Sequence, residues 1–210
     1  MPRKWMTLAE HDEILAKDPA YQEMREAKEA AQAKLVEQRA QEMRPLLDDL
    51  AAAGVTVDRP SRLLELPDPG ERIYPVLLDH LTRPYSPWLL ESIGRAFGRK
   101  SARPNVLDTL VKLIKSHSLE KAAADGVMVA ISEMAQPRDL TTLIDLLSDR
   151  SIGTSRIFLV SNLMRSKKPE ARDALLRNQD DPDLAKEITA CLARKVITDY
   201  GDRSETPKLR

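Results

Sequence analysis

Three features of the sequence predict an all-α fold. Aromatic residues make up only 4% and glycines number 7, while Leu and Ala abound. That composition suits helices; strands favour Val, Ile, Thr and aromatic side chains. From residue 71 onward apolar residues recur at intervals of three and four, the helical period. Prolines at positions 84, 104, 137, 169 and 182 punctuate that period, and proline can begin a helix but not continue one.

The elements follow in order. Residues 1–54 form an N-terminal helical extension. "AYQEMREAKEAAQAKLVEQRAQEMRPLLDDLAAAG" is rich in Ala, Glu, Gln, Lys and Arg, all good helix formers. Asp18 and Pro19 supply an N-cap and a first helical residue, and Gly54 a C-terminal cap. Pro45 lies inside and removes the bond to the Gln41 carbonyl, so a kink near Pro45, or two helices, is expected. Beyond it Leu46, Leu47 and Leu50 continue the seam of Val36, Ala40 and Met43 and should dock on the first helix pair. Residues 55–70 are a proline-rich connector with Leu63, Leu64 and Leu66 as anchors. Residues 198–210 read as a disordered tail.

Residues 71–197 read as four helix pairs. "ERIYPVLLDHLTR" precedes "PWLLESIGRAFGR", and "NVLDTLVKLIKSH" precedes "LEKAAADGVMVAISEMA". "LTTLIDLLS" precedes "RIFLVSNLMR", and "EARDALLRNQ" precedes "DLAKEITACLARKV". Leu81, Ile114 and Leu147 occupy like positions in the first helices, and Ile93, Ile131, Leu163 and Leu192 in the second. A recurring unit of this length predicts an α-solenoid, because one pair cannot bury its own apolar stripe without a neighbour.

"LIDLLSDRSIGTSRIFLVSNLMR" resembles the short bacterial HEAT-like (armadillo-type) repeat. There a Leu-rich first helix ends near an Asp, and an Arg precedes an Ala/Leu second helix. Asp149 and Arg156 match those two positions, and Asp180 with Lys186 matches them less closely. The resemblance implies an α-solenoid of about four HEAT-like pairs over residues 71–197 whose concave face is a binding surface. It carries no catalytic residue.

A search for chemistry finds little. His11, His80 and His117 are scattered and form no HxxxH or HExxH spacing. The single cysteine, Cys191, excludes an internal disulfide framework and reads as core. Ser118 in "SLEK" reads as a helix N-cap rather than as a nucleophile. Asp48/Asp49 and Asp180/Asp181 read as helix-end or turn residues. No glycine-rich phosphate loop is present. No catalytic, metal or cofactor residue is therefore expected, and the chain reads as noncatalytic.

Charge is balanced, with 33 basic and 33 acidic residues, so nothing global draws the chain to nucleic acid or membrane. Absence of a long apolar run predicts no membrane span, and a cytoplasmic protein is expected. One local excess stands out: Arg95, Arg99, Lys100, Arg103, Lys112, Lys115 and Lys121 against Asp108 and Glu120, with Trp88 nearby. Such a stretch could bind phosphate backbones or an acidic protein.

Aligning the second helices places Arg95, Glu133, Arg165 and Arg194 in one row, which Trp88, Arg99 and Asn162 extend. The expected function is a protein-interaction module or scaffold with its partner on this row. The alternative is a nucleic-acid-binding protein resembling HEAT-like DNA glycosylases. Chromophore lyases share the repeat type, but that likeness is one of fold alone.

Overall fold

The computed structural model describes residues 6–67 and 69–201, with side chains as far as Ala193. Ten α-helices are described, and no strand occurs among the described residues. The chain divides into two compact units, residues 1–45 and 46–210.

The first unit holds α1 (Leu8–Lys17) and most of α2 (Pro19–Ala52). Thr7 starts α1 through a capping box, its hydroxyl accepting from the Glu10 amide while Glu10 accepts from the Thr7 amide. Asp18 accepts from the Ala20 amide at 3.0 Å ahead of Pro19, as the sequence predicts. No residue of α1 is buried. Val36 and Ala40 are exposed and Met43 is half-buried. The expected seam therefore does not reach back along α2; that stretch rests on helix propensity and local pairs such as Arg25–Glu29 at 3.4 Å.

Pro45 lies inside α2, so the chain does not split there into two helices. The missing bond costs about 3 kcal/mol. Just beyond it Leu46 and Leu50 are fully buried, and each contributes about 1.5–3 kcal/mol, enough to carry the helix onward. Gly54, at φ +96°, ends α2. Its amide donates to the Ala51 carbonyl and that of Val55 to the Leu50 carbonyl, both at 2.9 Å. This is the left-handed cap expected from the sequence.

The second unit continues with a 3-10 turn, Pro60–Leu64. Leu63 is buried and Leu66 half-buried, but Leu64 is 42% exposed. Of the three expected anchors it is the exception, because a tight turn sends neighbouring side chains in different directions.

Short helices then follow: α3 (Ile73–His80), α4 (Pro87–Ala96), α5 (Arg103–Lys115), α6 (Lys121–Met134), α7 (Leu140–Ser148), α8 (Ile157–Arg165), α9 (Pro169–Arg177) and α10 (Ala185–Gly201). Prolines stand at the starts of α4, α5 and α9. The start of α6 differs from expectation. Its N-cap is Glu120, and the Ser118 hydroxyl pairs with that of Ser116. His117, at φ 52°, turns the chain out of α5 and leaves Ser118 ahead of the cap. α10 extends to Gly201, beyond the residue 197 expected. The rest of the expected tail, 202–210, lies outside the described residues.

Successive helices pack as α3 on α4, α5 on α6 and α7 on α8. Across these, α4 contacts α6, α6 contacts α8, and α8 contacts α10. Their apolar stripes are the core: Leu81, Ile93, Ile114, Ile131, Leu147 and Leu163 are all buried. Leu192 is half-buried.

The crossing of α4 and α6 is the most extensive contact, and it depends on two glycines. A Cβ on Gly126 would lie 2.3 Å from the Glu91 carbonyl oxygen and 3.0 Å from Gly94 Cα. A Cβ on Gly94 would lie 2.7 Å from the Val127 nitrogen. The obstacles are backbone, which cannot swing aside as a side chain would.

This crossing sets two effects against each other. Propensity alone makes Gly→Ala within a helix favourable by about 1 kcal/mol, whereas overpacking costs about 1–3 kcal/mol or more. We expect Gly126→Ala to lower stability in urea denaturation; a rise would show that the helices separate freely. Leu147→Ala and Leu163→Ala should each cost about 2–5 kcal/mol through lost burial and an unfilled cavity. A shift in the urea midpoint worth under about 1 kcal/mol would place that side chain outside the core.

Candidate functional site

α4, α6 and α8 carry the residues of the predicted row. Arg95 lies in the last turn of α4, Glu133 in the last turn of α6, and Arg165 ends α8. Gly98, just past α4, lies beside α6: a Cβ there would meet Ala130 Cα at 3.6 Å and Glu133 Cβ at 3.7 Å, ordinary contact distances, and its tight neighbour is the Arg95 carbonyl at 3.0 Å. Asn162 donates through Nδ2 to the Ser132 carbonyl, tying α8 to α6.

Two depressions adjoin on these helices, sharing Ser132 and Glu133. One, of about 390 Å3, has Arg95, Glu133, Phe158 and Ser161 in its wall. The other, of about 660 Å3, has Glu133, Asn162 and Arg165, with Lys100, Lys167 and Lys168 around them. Trp88 and Arg99 line neither. Trp88 is half-buried at the start of α4. The side chain of Arg194 lies outside the described residues.

The arginines differ in how far they are engaged. Arg95 donates from Nε at 2.9 Å and Nη2 at 2.7 Å to Glu91 on its own helix. Arg99 donates to the Leu63 carbonyl and, at 2.7 Å, to that of Pro67, holding the connector against the end of α4. Arg165 and Glu133 are exposed and form no ion pair among the described residues. Elsewhere in the basic stretch, Arg103 pairs with buried Asp139 and Lys121 with Asp125. Four of the seven cations are thus engaged by protein groups.

Three polar clusters escaped the sequence reading. His80 is fully buried on α3, with Nε2 2.8 Å from Asp49 Oδ2 and Nδ1 2.8 Å from the Tyr85 hydroxyl. The hydrogen bond from His80 lowers the Asp49 pKa, helped by the charge of Arg83 and opposed by desolvation. This chain of contacts ties the end of α2 to the end of α3. Asp49 and His80 are 31 residues apart, and no local pattern pairs them.

Next, the Ser151 hydroxyl bonds Asp149 and lies 3.1 Å from His117 Nε2. In a hydrolytic triad the imidazole stands between carboxylate and hydroxyl. Here the hydroxyl is in the middle, so Asp149 cannot orient His117 to take its proton.

The third cluster is the interior one. Arg156 is 1% exposed and Asp181 2%. Arg156 donates to both Asp181 oxygens at 3.0 and 3.2 Å, to Asp183 at 3.0 Å, and to the Leu147 and Gly153 carbonyls. Arg156 therefore reaches the turn before α10. Asp149 instead accepts from the Ser151 amide, and the buried partner of Arg156 is Asp181, next to the Asp180 that the resemblance picked out. A fork buried with its carboxylate satisfied on both oxygens is a structural joint.

Among the described residues no group of three His, Cys, Asp or Glu is placed to hold a metal ion. No described helix is long and apolar enough to cross a membrane. Comparisons with protein-family models, curated proteins and solved structures find no match to this chain.

The Arg156–Asp181 joint has a definite pH signature. The bond to Arg156 lowers the Asp181 pKa; the Asp183 amide and the charge of Arg150 assist, and burial opposes. A folded pKa below the unfolded one contributes stability above the unfolded value, near 3.9, and loses it as pH falls toward the folded one. Asp181→Asn should cost about 3 kcal/mol or more at neutral pH, because Arg156 stays buried with less compensation. In urea denaturation that deficit should shrink as pH drops from about 6 to about 3. A deficit independent of pH would mean that the charge on Asp181 does not matter.

Proposed function

We propose that the chain is a noncatalytic interaction module, an α-solenoid of HEAT-like helix pairs that holds a protein partner on the face of its second helices. One observation supports this most. Arg95, Glu133 and Arg165, aligned by repeat spacing, fall together with Asn162 on two adjoining depressions of α4, α6 and α8. A groove lined by residues from successive elements is where stacked helix pairs bind extended partners. The reading places the protein in the cytoplasm, consistent with a sequence that holds a single cysteine and so no internal disulfide.

The basic stretch gives a nucleic-acid reading less support. With four of its seven cations engaged internally, few are left to displace counterions from a phosphate backbone.

A photo-cross-linking residue at Ser161, in the wall of the first depression, should capture a protein in source cells, and one at Lys112 on α5 should not. Replacing Arg95 and Arg165 with alanine should abolish the Ser161 adduct while barely changing helicity and melting. Arg95 forfeits only an exposed pair within its helix, worth about 0.3–0.5 kcal/mol. Equal capture at both positions, or an adduct indifferent to the double substitution, would sink the proposal. An adduct removed by nuclease would turn it toward nucleic acid.

A further inference from the structure

We infer that the depression between α6, α7 and α8 selects the partner, and that it takes an acidic segment of a protein chain. Carboxylates would sit at its rim and an apolar side chain on its floor. This rests on the reading that the second-helix face binds protein.

The rim is cationic. Lys100, Arg165 and Lys167 are exposed and make no ion pair among the described residues. Lys168 reaches only the Pro137 carbonyl, at 3.5 Å. Against these four cations stands Glu133. Cations gathered around one depression without partners repel each other, and an anionic ligand relieves that repulsion on binding. Arg165 offers the planar fork that a carboxylate matches.

The floor distinguishes a peptide from a bare anion. Leu143, buried, and Leu140, half-buried, line it, with exposed Pro137 beside them. A phosphate or sulfate would engage the cations and leave those side chains wet. A peptide can place an apolar side chain there and carboxylates on either side. Asn162 is held by its nitrogen to the Ser132 carbonyl, which leaves Oδ1 to accept a peptide N–H. No aromatic ring lines this depression, so it has no platform for a stacked base. Its volume, about 660 Å3, lies in the range of pockets that enclose ligands.

The test is a random-peptide phage library selected against the full chain. Selected peptides should share two or more acidic residues around an apolar one. Fluorescence anisotropy of a labelled selected peptide should show a loss of about tenfold or more with Arg165→Glu/Lys167→Glu, as expected on reversing two charge-assisted contacts. Lys112→Glu/Lys115→Glu, the same charge change on α5, should leave binding within about twofold, and the peptide's Asn/Gln counterpart should not bind. Arg165→Gln/Lys167→Gln serves if the double reversal unfolds the chain by circular dichroism.

Lack of acidic enrichment, or unchanged binding by the double variant, overturns the inference. So does full displacement of the peptide by inorganic phosphate at matched concentration, which would make this a bare anion site. Peptides that cross-link at Ser161 yet are neutral or basic defeat this inference alone. Peptides captured only on the outer helices defeat the protein-binding face as well.

Discussion

The close crossing of α4 and α6 is the constraint on which the rest of the second unit depends. At Gly94 and Gly126 the two backbones touch with no side chain between them. Side chains normally hold helix axes about 8–10 Å apart; without them two helices can come nearer and bury more of their flanks. Ile93 and Val127 sit next to the crossing and are fully buried. Each glycine forgoes about 1 kcal/mol of helix propensity, and the packing gained along both helices offsets it. The packed ends of the same two helices carry Arg95 and Glu133, which line one depression.

Polar joints do a different job. Arg103 to Asp139 links the start of α5 to the turn before α7, and Arg156 to Asp181 links the turn before α8 to the turn before α10. Both carboxyls are held below their ordinary pKa, first by the arginine bond. A buried ion pair adds little net stability over an apolar pair of the same volume. Its geometry is specific, however, since a fork meets a carboxylate in one orientation only. Apolar stripes drive helices together and leave their register loose; such joints set where one pair sits on the next. His80, bonded to Asp49 and Tyr85 and fully buried, does the same for the end of α2 against α3.

With the joints committed to the fold, the charges left over mark the surface proposed above for a partner. Arg99 and Arg103 look from composition like part of a basic patch, yet one holds the connector and the other holds Asp139. Arg165, Lys167 and Lys100 gather at one depression instead. A count of charges along the chain cannot separate these two groups, because the separation depends on what lies across from each side chain.

What the sequence alone determined is local and periodic. Apolar residues every three or four positions marked the helices, the prolines marked the starts of α2, α4, α5 and α9, and Asp18 and Gly54 marked the ends of α2. These signals are legible because a helix and its caps are built from residues within one turn of each other. Burial of Leu147 and Leu163 was legible for the same reason: a repeating stripe must face something dry. Only the tertiary structure decided that Gly94 meets Gly126, that Arg156 reaches Asp181 rather than an Asp beside it, that His80 is interior, and that Leu64 faces water. Each of these joins or separates residues across helices, and the contacts across helices depend on crossing angle and register. A helical period specifies which face is buried but not which residue lies opposite it.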